Sequence, residues 1–289
     1  MTKYILVTGA NGQLGNELQN VLKDRNDVVT YYTDVNELDI TSSEAIGRFF
    51  KENRIDYVVN CAAFTAVDKA ESEKELCHML NAQSVALLAK ESQAHGAKMI
   101  QISTDYVFDG NGHRPYVETD KPAPCSVYGT TKLEGESNLM ELAPHSIIIR
   151  TAWLYSPYGH NFVKTMLNLG KTKPSLKVIY DQVGTPTYAL DLARAIVKII
   201  DYPHWHPGIY HFSDEGAISW YDFTKAIHRI AGITNCQVNP CTTEEYPTPA
   251  HRPHYSVFNK NKIKTTFGLA IPYWEDSLKD CIKRLEQVI

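Results

Sequence analysis

No run in this 289-residue sequence stays apolar for the roughly 20 residues that a membrane-spanning helix needs, which argues against a helical membrane anchor. Cysteine is scarce and dispersed. The six residues Cys61, Cys77, Cys125, Cys236, Cys241 and Cys281 include no C-x-x-C pair, which argues against a zinc site or a disulfide framework and fits reduced thiols in the cytoplasm. Basic charge is not in excess either, with 29 Lys and Arg against 33 Asp and Glu and a net charge of -4. Nucleic acid and anionic membrane surfaces are therefore excluded as expected partners, whereas a small anion could still be held by local groups. The opening MTKYILVTGA lacks the longer apolar core and small-residue cleavage site of a secretory signal. No repeat, low-complexity tract or linker divides the chain.

Hydrophobic residues make up 43% of the chain, enough for one large or two modest cores. Short β-branched runs recur through the first half: YILVT (4 to 8), VVTYY (28 to 32), YVVN (57 to 60), KMIQIS (98 to 103) and SIIIRT (146 to 151). Amphipathic segments such as QLGNELQNVLK, SSEAIGRFFKEN and AQSVALLAKESQAHG lie between them, with Thr41 or Ser42 as a cap for the second and Gly96 as a stop for the third. Strands alternating with helices predict an α/β fold, a Rossmann-type doubly wound parallel sheet covered on both faces. After residue 152 the texture changes to more Pro, Tyr and His, with the strands KVIY and GIYHF and the helices WYDFTKAIHRIAG and WEDSLKDCIKRLEQ. The expected organisation is a dinucleotide-binding domain over 1–152, with returning segments of the second half, and a smaller α/β substrate-binding lobe, mainly 153–289.

Ligands of such sheets bind beyond the carboxyl ends of the strands, and the informative segments all fall there. GANGQLG places Gly9, Gly12 and Gly15 between the first strand and first helix, with Asn11, Gln13 and Leu14 between them. Unpaired N–H groups at a helix start attract a pyrophosphate, and glycines let it approach the backbone; the plainer alternative is a tight turn that needs glycine only for positive φ. Asp34 follows the second strand, where a carboxylate can accept hydrogen bonds from an adenosine ribose; its alternative is a turn or cap residue. LDIT sets Asp39 and Ile40 against an adenine, and NCAAFTAVD lines the dinucleotide's path with Ala62, Ala63, Phe64 and Thr65.

The stretch SVYGTTKLEGE carries Tyr128 and Lys132 four residues apart at a helix start, on one helix face. ISTDYVFDG adds Thr104 at the end of the fourth strand. Glycine loop, threonine and Y-x-x-x-K, in this order, resemble the extended short-chain dehydrogenase/reductase family and, within it, the dTDP-4-dehydrorhamnose reductases. The likeness runs through GANGQLG, LDIT, NCAAFTAVDKAE, STDYVFDG, YGTTKLEGE, RTAWLY, NFVKTM, DQVGTPT and RPHYS, nearly the whole chain. It implies reduction of the 4-keto group of dTDP-4-dehydro-L-rhamnose to dTDP-L-rhamnose by NADPH or NADH. Tyr128 is then the proton donor, Lys132 the cation that lowers its pKa and binds the nicotinamide ribose, and Thr104 the donor to the substrate oxygen.

The same resemblance implies substrate contacts from Asp105, Tyr106, Trp153, Asn161, Gln182 and Arg252, the last as a clamp on a diphosphate. Trp153 also reads as core and Arg252 as a surface ion pair. Some family members bridge subunits through magnesium held by glutamates; Glu17 resembles the first of these, but TYALDLA has none at the second place. No metal is therefore expected, a homodimer is left open, and Glu17 is expected as a first-turn residue facing solvent. A 4,6-dehydratase is disfavoured, because Thr104-Asp105-Tyr106 lacks its glutamate. Another nucleotide-sugar reductase or epimerase, and a non-catalytic NADP-binding regulatory subunit, stand as alternatives.

Overall fold

A computed structural model describes residues 2–288. In chain order the first half comprises β1 (Lys3–Thr8), α1 (Gln13–Leu22), β2 (Val28–Thr33), α2 (Ser43–Glu52), β3 (Tyr57–Asn60), α3 (Val67–Ala70), α4 (Lys74–His78), α5 (Ser84–Ala94), β4 (Lys98–Thr104), α6 (Val127–Leu142) and β5 (Ile147–Thr151). The second half adds β6 (Leu154–Tyr155), α7 (Phe162–Thr172), β7 (Ser175–Ile179), β8 (Val183–Gly184), β9 (Thr187–Tyr188), α8 (Ala189–Asp201), β10 (Gly208–His211), β11 (Ile218–Ser219), α9 (Trp220–Ile230), β12 (Gln237–Cys241), α10 (Asn261–Phe267) and α11 (Trp274–Val288).

Six strands form one parallel sheet in the order β10-β5-β4-β3-β1-β2. Parallel strands need both faces covered, and two apolar layers do this. Leu14, Leu18 and Leu22 of α1 pack with Ile196 and Ile200 of α8 on one face, while Ile46, Phe50, Leu88 and Leu139 of α2, α5 and α6 cover the other. Ser42 caps α2 by accepting from Ala45 N, and Gly96 sits at φ 69° past the end of α5, where a left-handed backbone favours glycine.

GIYHF does not belong to the smaller lobe. Its residues form β10, which pairs with β5 at the sheet edge, because Ile147 and Ile149 offer an open edge and α8 supplies the apolar cover. Ile263 and Phe267 of α10 join the same sheet core, whereas β6, α7, α9 and α11 build a separate core from Tyr155, Val163, Phe223, Ile227, Leu278 and Ile282.

Glu17 also departs from expectation. It is 0% exposed and receives both guanidinium nitrogens of Arg284 from α11, so a charge that local sequence leaves in water is buried by a distant helix. Among the described residues, no helix is long and apolar enough to cross a membrane.

Candidate active site

Strand order reverses between β1 and β3, and the chain leaves those two strands on opposite sides of the sheet, opening a crevice at their carboxyl ends. A cavity of 910 Å³ occupies this place. Gly9, Gly12, Gln13, Leu14 and Gly15 line its floor, Asp34, Asp39 and Ile40 one end, and Ala62, Ala63 and Thr65 the wall after β3. Thr104, Asp105, Tyr106, Tyr128, Lys132, Trp153, Asn161 and Arg252 line the other end.

The floor has the properties of a phosphate cradle. Gly12 caps α1 without any side-chain hydrogen bond, so the first-turn N–H groups have no side-chain acceptor. Gly9 has φ 63°, and a Cβ there would stand 2.7 Å from Ala62 N; a Cβ on Gly15 would stand 2.5 Å from the Ala10 backbone. These glycines are required by close packing of β1, β3 and α1 as well as by turn geometry. Asp34 accepts from Asn11 N at 3.2 Å and Val35 N at 2.9 Å, which aims its carboxylate along the rim. No lysine or arginine joins Asp34 in the lining of that end. The donor set thus fits a dinucleotide.

A polar ladder runs under the crevice across register partners. Thr8 Oγ1 donates to Asn60 Oδ1 at 2.5 Å, Asn60 Nδ2 to Gln101 Oε1 at 2.7 Å, and Gln101 Nε2 to the Ile102 carbonyl at 2.9 Å. That carbonyl also accepts Lys132 Nζ at 2.6 Å. Lys132 and Tyr128 come from the first turns of α6, which Ser126 caps by accepting from Gly129 N at 3.1 Å. Gly129 and Gly135 let this helix lie close: a Cβ would reach within 2.2 Å of Tyr106 O and 2.1 Å of Asn81 O, respectively.

Burial dominates the titration of this cluster. It raises the Tyr128 phenol well above its ordinary value, only partly offset by the hydroxyl of Thr104, and lowers the Lys132 ammonium to about 8. Desolvation disfavours the charged form of both and so opposes any lowering of Tyr128 by Lys132. Asp105 is pushed up to about 6 by the same cause, and its Oδ2 is buried without a partner, while Oδ1 accepts from Thr104 Oγ1 at 3.0 Å. Tyr106 meets Tyr128 edge to face at 5.4 Å and is pushed up to about 12 by burial.

Around this centre, Trp153 adopts φ 49°, the one described non-glycine residue with positive φ, and stacks on Trp220 with ring centroids 3.5 Å apart. Gly184 leaves room for the Trp153 ring, since a Cβ there would stand 2.8 Å from Cε2. Trp220 is a cleft residue that sequence reasoning missed, although it opens the helix WYDFTKAIHRIAG at a capping box from Ser219 and Asp222. Arg252 donates to the Tyr106 hydroxyl at 3.0 Å and to Asp68 Oδ2 at 2.7 Å. Asn161 reaches the cleft, but its amide is already used, capping α7 at Lys164 N and donating to Gln13 Oε1 at 3.0 Å.

Three expected residues are not brought to the cavity lining. Gln182 is 2% exposed and donates to Thr243 at 3.1 Å, within the loops that join β7 and β12 to their successors. Phe64 turns away and packs with Cys77 and Tyr128, its backbone held from both sides by the Asn81 amide. Asn11 stands exposed at the turn tip and touches Asp34 through its backbone N–H.

Comparison with known proteins gives a consistent picture. The model of the RmlD substrate binding domain matches residues 2–287. A dTDP-4-dehydrorhamnose reductase from Aggregatibacter actinomycetemcomitans is 41% identical over 285 residues, covering 96% of this chain and 97% of that protein. The crystal structure of a dTDP-4-dehydrorhamnose reductase from Clostridium acetobutylicum is 50% identical, covers 98% of this chain and 99% of its own, and superposes with a TM-score of 0.94. The enzyme of the same name from Bacillus anthracis, solved in complex with NADP, is 40% identical, with a TM-score of 0.94, 98% of this chain and 100% of its own covered.

Proposed function

The chain belongs to the RmlD substrate binding domain family, and on that premise we propose how its own residues carry out the reaction. It is an NAD(P)H-dependent oxidoreductase that reduces the 4-keto group of dTDP-4-dehydro-L-rhamnose to give dTDP-L-rhamnose. The observation that carries the residue assignment is the convergence of Thr104, Tyr128 and Lys132 at one end of a cavity whose floor is the glycine cradle.

A bound reduced nicotinamide supplies the hydride. As negative charge grows on the ketone oxygen, the neutral Tyr128 phenol gives its proton, and Thr104, its hydroxyl turned from Asp105 Oδ1, donates a second hydrogen bond to that oxygen. Lys132, held at the Ile102 carbonyl, supplies the adjacent positive charge that favours phenolate once the proton has left. Burial of all three limits competition from water. Asp105, Tyr106, Trp153 and Arg252 form the wall toward which the nucleotide sugar extends. Arg252 provides the fork geometry that suits a diphosphate. Six unpaired thiols suit a cytoplasmic enzyme.

The test is loss of reduced nicotinamide absorbance when the purified protein meets dTDP-4-dehydro-L-rhamnose, with NADH and NADPH run separately. Stoichiometric oxidation is expected. Tyr128→Phe should lower kcat about 100-fold or more while cofactor still binds; retention of wild-type kcat removes Tyr128 from the proton-donor role. Cofactor binding without turnover would point to another keto sugar, and sugar conversion without net oxidation to an epimerase.

A further inference from the structure

One helical turn beyond Lys132, a carboxylate with no place in the reaction is buried behind the cleft. Glu136 is 3% exposed. Its Oε1 accepts Ser103 Oγ at 2.5 Å and Arg150 Nε at 2.9 Å, and its Oε2 accepts Arg150 Nη2 at 2.6 Å. Ser103 and Arg150 are register partners on β4 and β5. Successive residues of β4, Ile102 and Ser103, thus hold successive turns of α6 at Lys132 and Glu136.

Fastening a helix to a sheet does not require charge. Apolar side chains serve as well, and a buried ion pair often stabilises no more than a hydrophobic replacement. Here the pair is not even fully satisfied, because Arg150 Nη1 is buried without a partner. What an apolar pair would lack is negative charge beside a buried ammonium. The groups around Lys132 are Tyr128 and Glu136 on its own helix, Cys61 after β3 and Cys77 of α4, with Arg150 behind Glu136; burial keeps both thiols neutral, so the charge that favours the ammonium is that of Glu136.

We propose that Glu136, locked by Ser103 and Arg150, is a positioning residue for Lys132, keeping it charged and seated at the Ile102 carbonyl beside Tyr128. The proposal rests on Lys132 having the catalytic role assigned above. The carboxylate never touches substrate or cofactor; it acts through the lysine.

The experiment follows kcat against pH, from neutral into alkaline solution, with dTDP-4-dehydro-L-rhamnose and NADH, alongside thermal unfolding of each variant. In Glu136→Gln the alkaline limb should move down by about one pH unit, with kcat falling about tenfold at a pH on that limb and KM for the nucleotide sugar unchanged. Glu136→Asp, which keeps the charge, should hold the limb near its wild-type position. Glu136→Gln leaves Arg150 buried and unpaired, so the double variant Glu136→Gln with Arg150→Met separates folding from tuning: it restores a neutral pair, and the limb should stay displaced. A folded double variant with the wild-type limb and kcat overturns the proposal. If both variants unfold, Ser103→Ala removes one hydrogen bond and no charge, and must lower kcat at constant KM; unchanged kcat overturns the proposal in that case. Lys132→Met separates the two readings: full activity there removes Lys132 from catalysis, whereas an inactive Lys132→Met with an unmoved limb in the Glu136 variants sinks the Glu136 role alone.

Discussion

Arg284 of the last helix closes a two-pronged ion pair on Glu17 of the first helix, Nη1 to Oε1 at 2.8 Å and Nη2 to Oε2 at 3.0 Å, across 267 positions of sequence. Nη1 also donates to the Tyr188 hydroxyl. The first turn of α1 forms the cradle, so this contact ties the cradle's helix to the smaller lobe. An uncompensated carboxylate at 0% exposure is costly, and the arginine is what makes its burial tolerable.

Arg284→Met should therefore destabilise the protein by about 3 to 5 kcal/mol, because it leaves Glu17 buried and unpaired. Urea unfolding measures it. Glu17→Gln combined with Arg284→Met should recover most of the loss. Near-additive losses in the double variant would mean that the two side chains do not act as a pair.

Asp105 gives a pH signature. Burial pushes its carboxyl up to about 6 from an ordinary value of 3.8, so between these values the folded state holds a proton that the unfolded state has released. Stability must fall as pH rises through that window, and at pH 7 the buried carboxylate costs about 3 kcal/mol. Asp105→Asn should raise the thermal midpoint above pH 7, with the gain fading as pH falls below about 4. A gain independent of pH would show that the desolvated charge is not its source.

The Arg252 guanidinium is anchored to Asp68 at 2.7 Å and the same carboxylate accepts Ala250 N at 3.3 Å, which pins the 250–252 segment over the cavity. Arg252→Ala should raise the KM for the nucleotide sugar about 10-fold or more, because a charge-assisted contact is lost. Asp68→Asn, which frees the arginine without removing it, should raise the same KM less and leave the KM for NADH unchanged. Steady-state kinetics in both substrates distinguish these outcomes, and an unchanged sugar KM in Arg252→Ala would exclude the clamp.

Gly15→Ala tests the cradle. The new Cβ would stand 2.5 Å from the Ala10 backbone and from Gly9 O, neither of which is a flexible side-chain end, so the loop must move. Cofactor affinity, measured by quenching of protein fluorescence on titration with NADH, should weaken at least about tenfold while the far-ultraviolet dichroism is kept. Unaltered affinity would place the phosphates elsewhere.

Local patterning made much of this architecture legible. YILVT, YVVN and SIIIRT read as strands because both faces are buried, so β-branched residues run on without alternation. Tyr128 and Lys132 share a face because a helix has 3.6 residues per turn, and the glycines of GANGQLG sit at a strand-to-helix turn whose chemistry is local. Those features depend on neighbours a few residues away.

Other features depend on partners that no local pattern names. GIYHF reads as a strand, but its seat beside β5 is set by an open sheet edge and by α8. Glu17 reads as an exposed first-turn residue until Arg284 arrives, and nothing local to Gln182 names Thr243 as the partner of its amide. The residue types of the Tyr128 and Lys132 cluster were determined by sequence alone. Their protonation was decided by tertiary structure: desolvation raises Tyr128 and lowers Lys132, against what the pair alone would predict, because the penalty depends on how much of the whole fold excludes water from them.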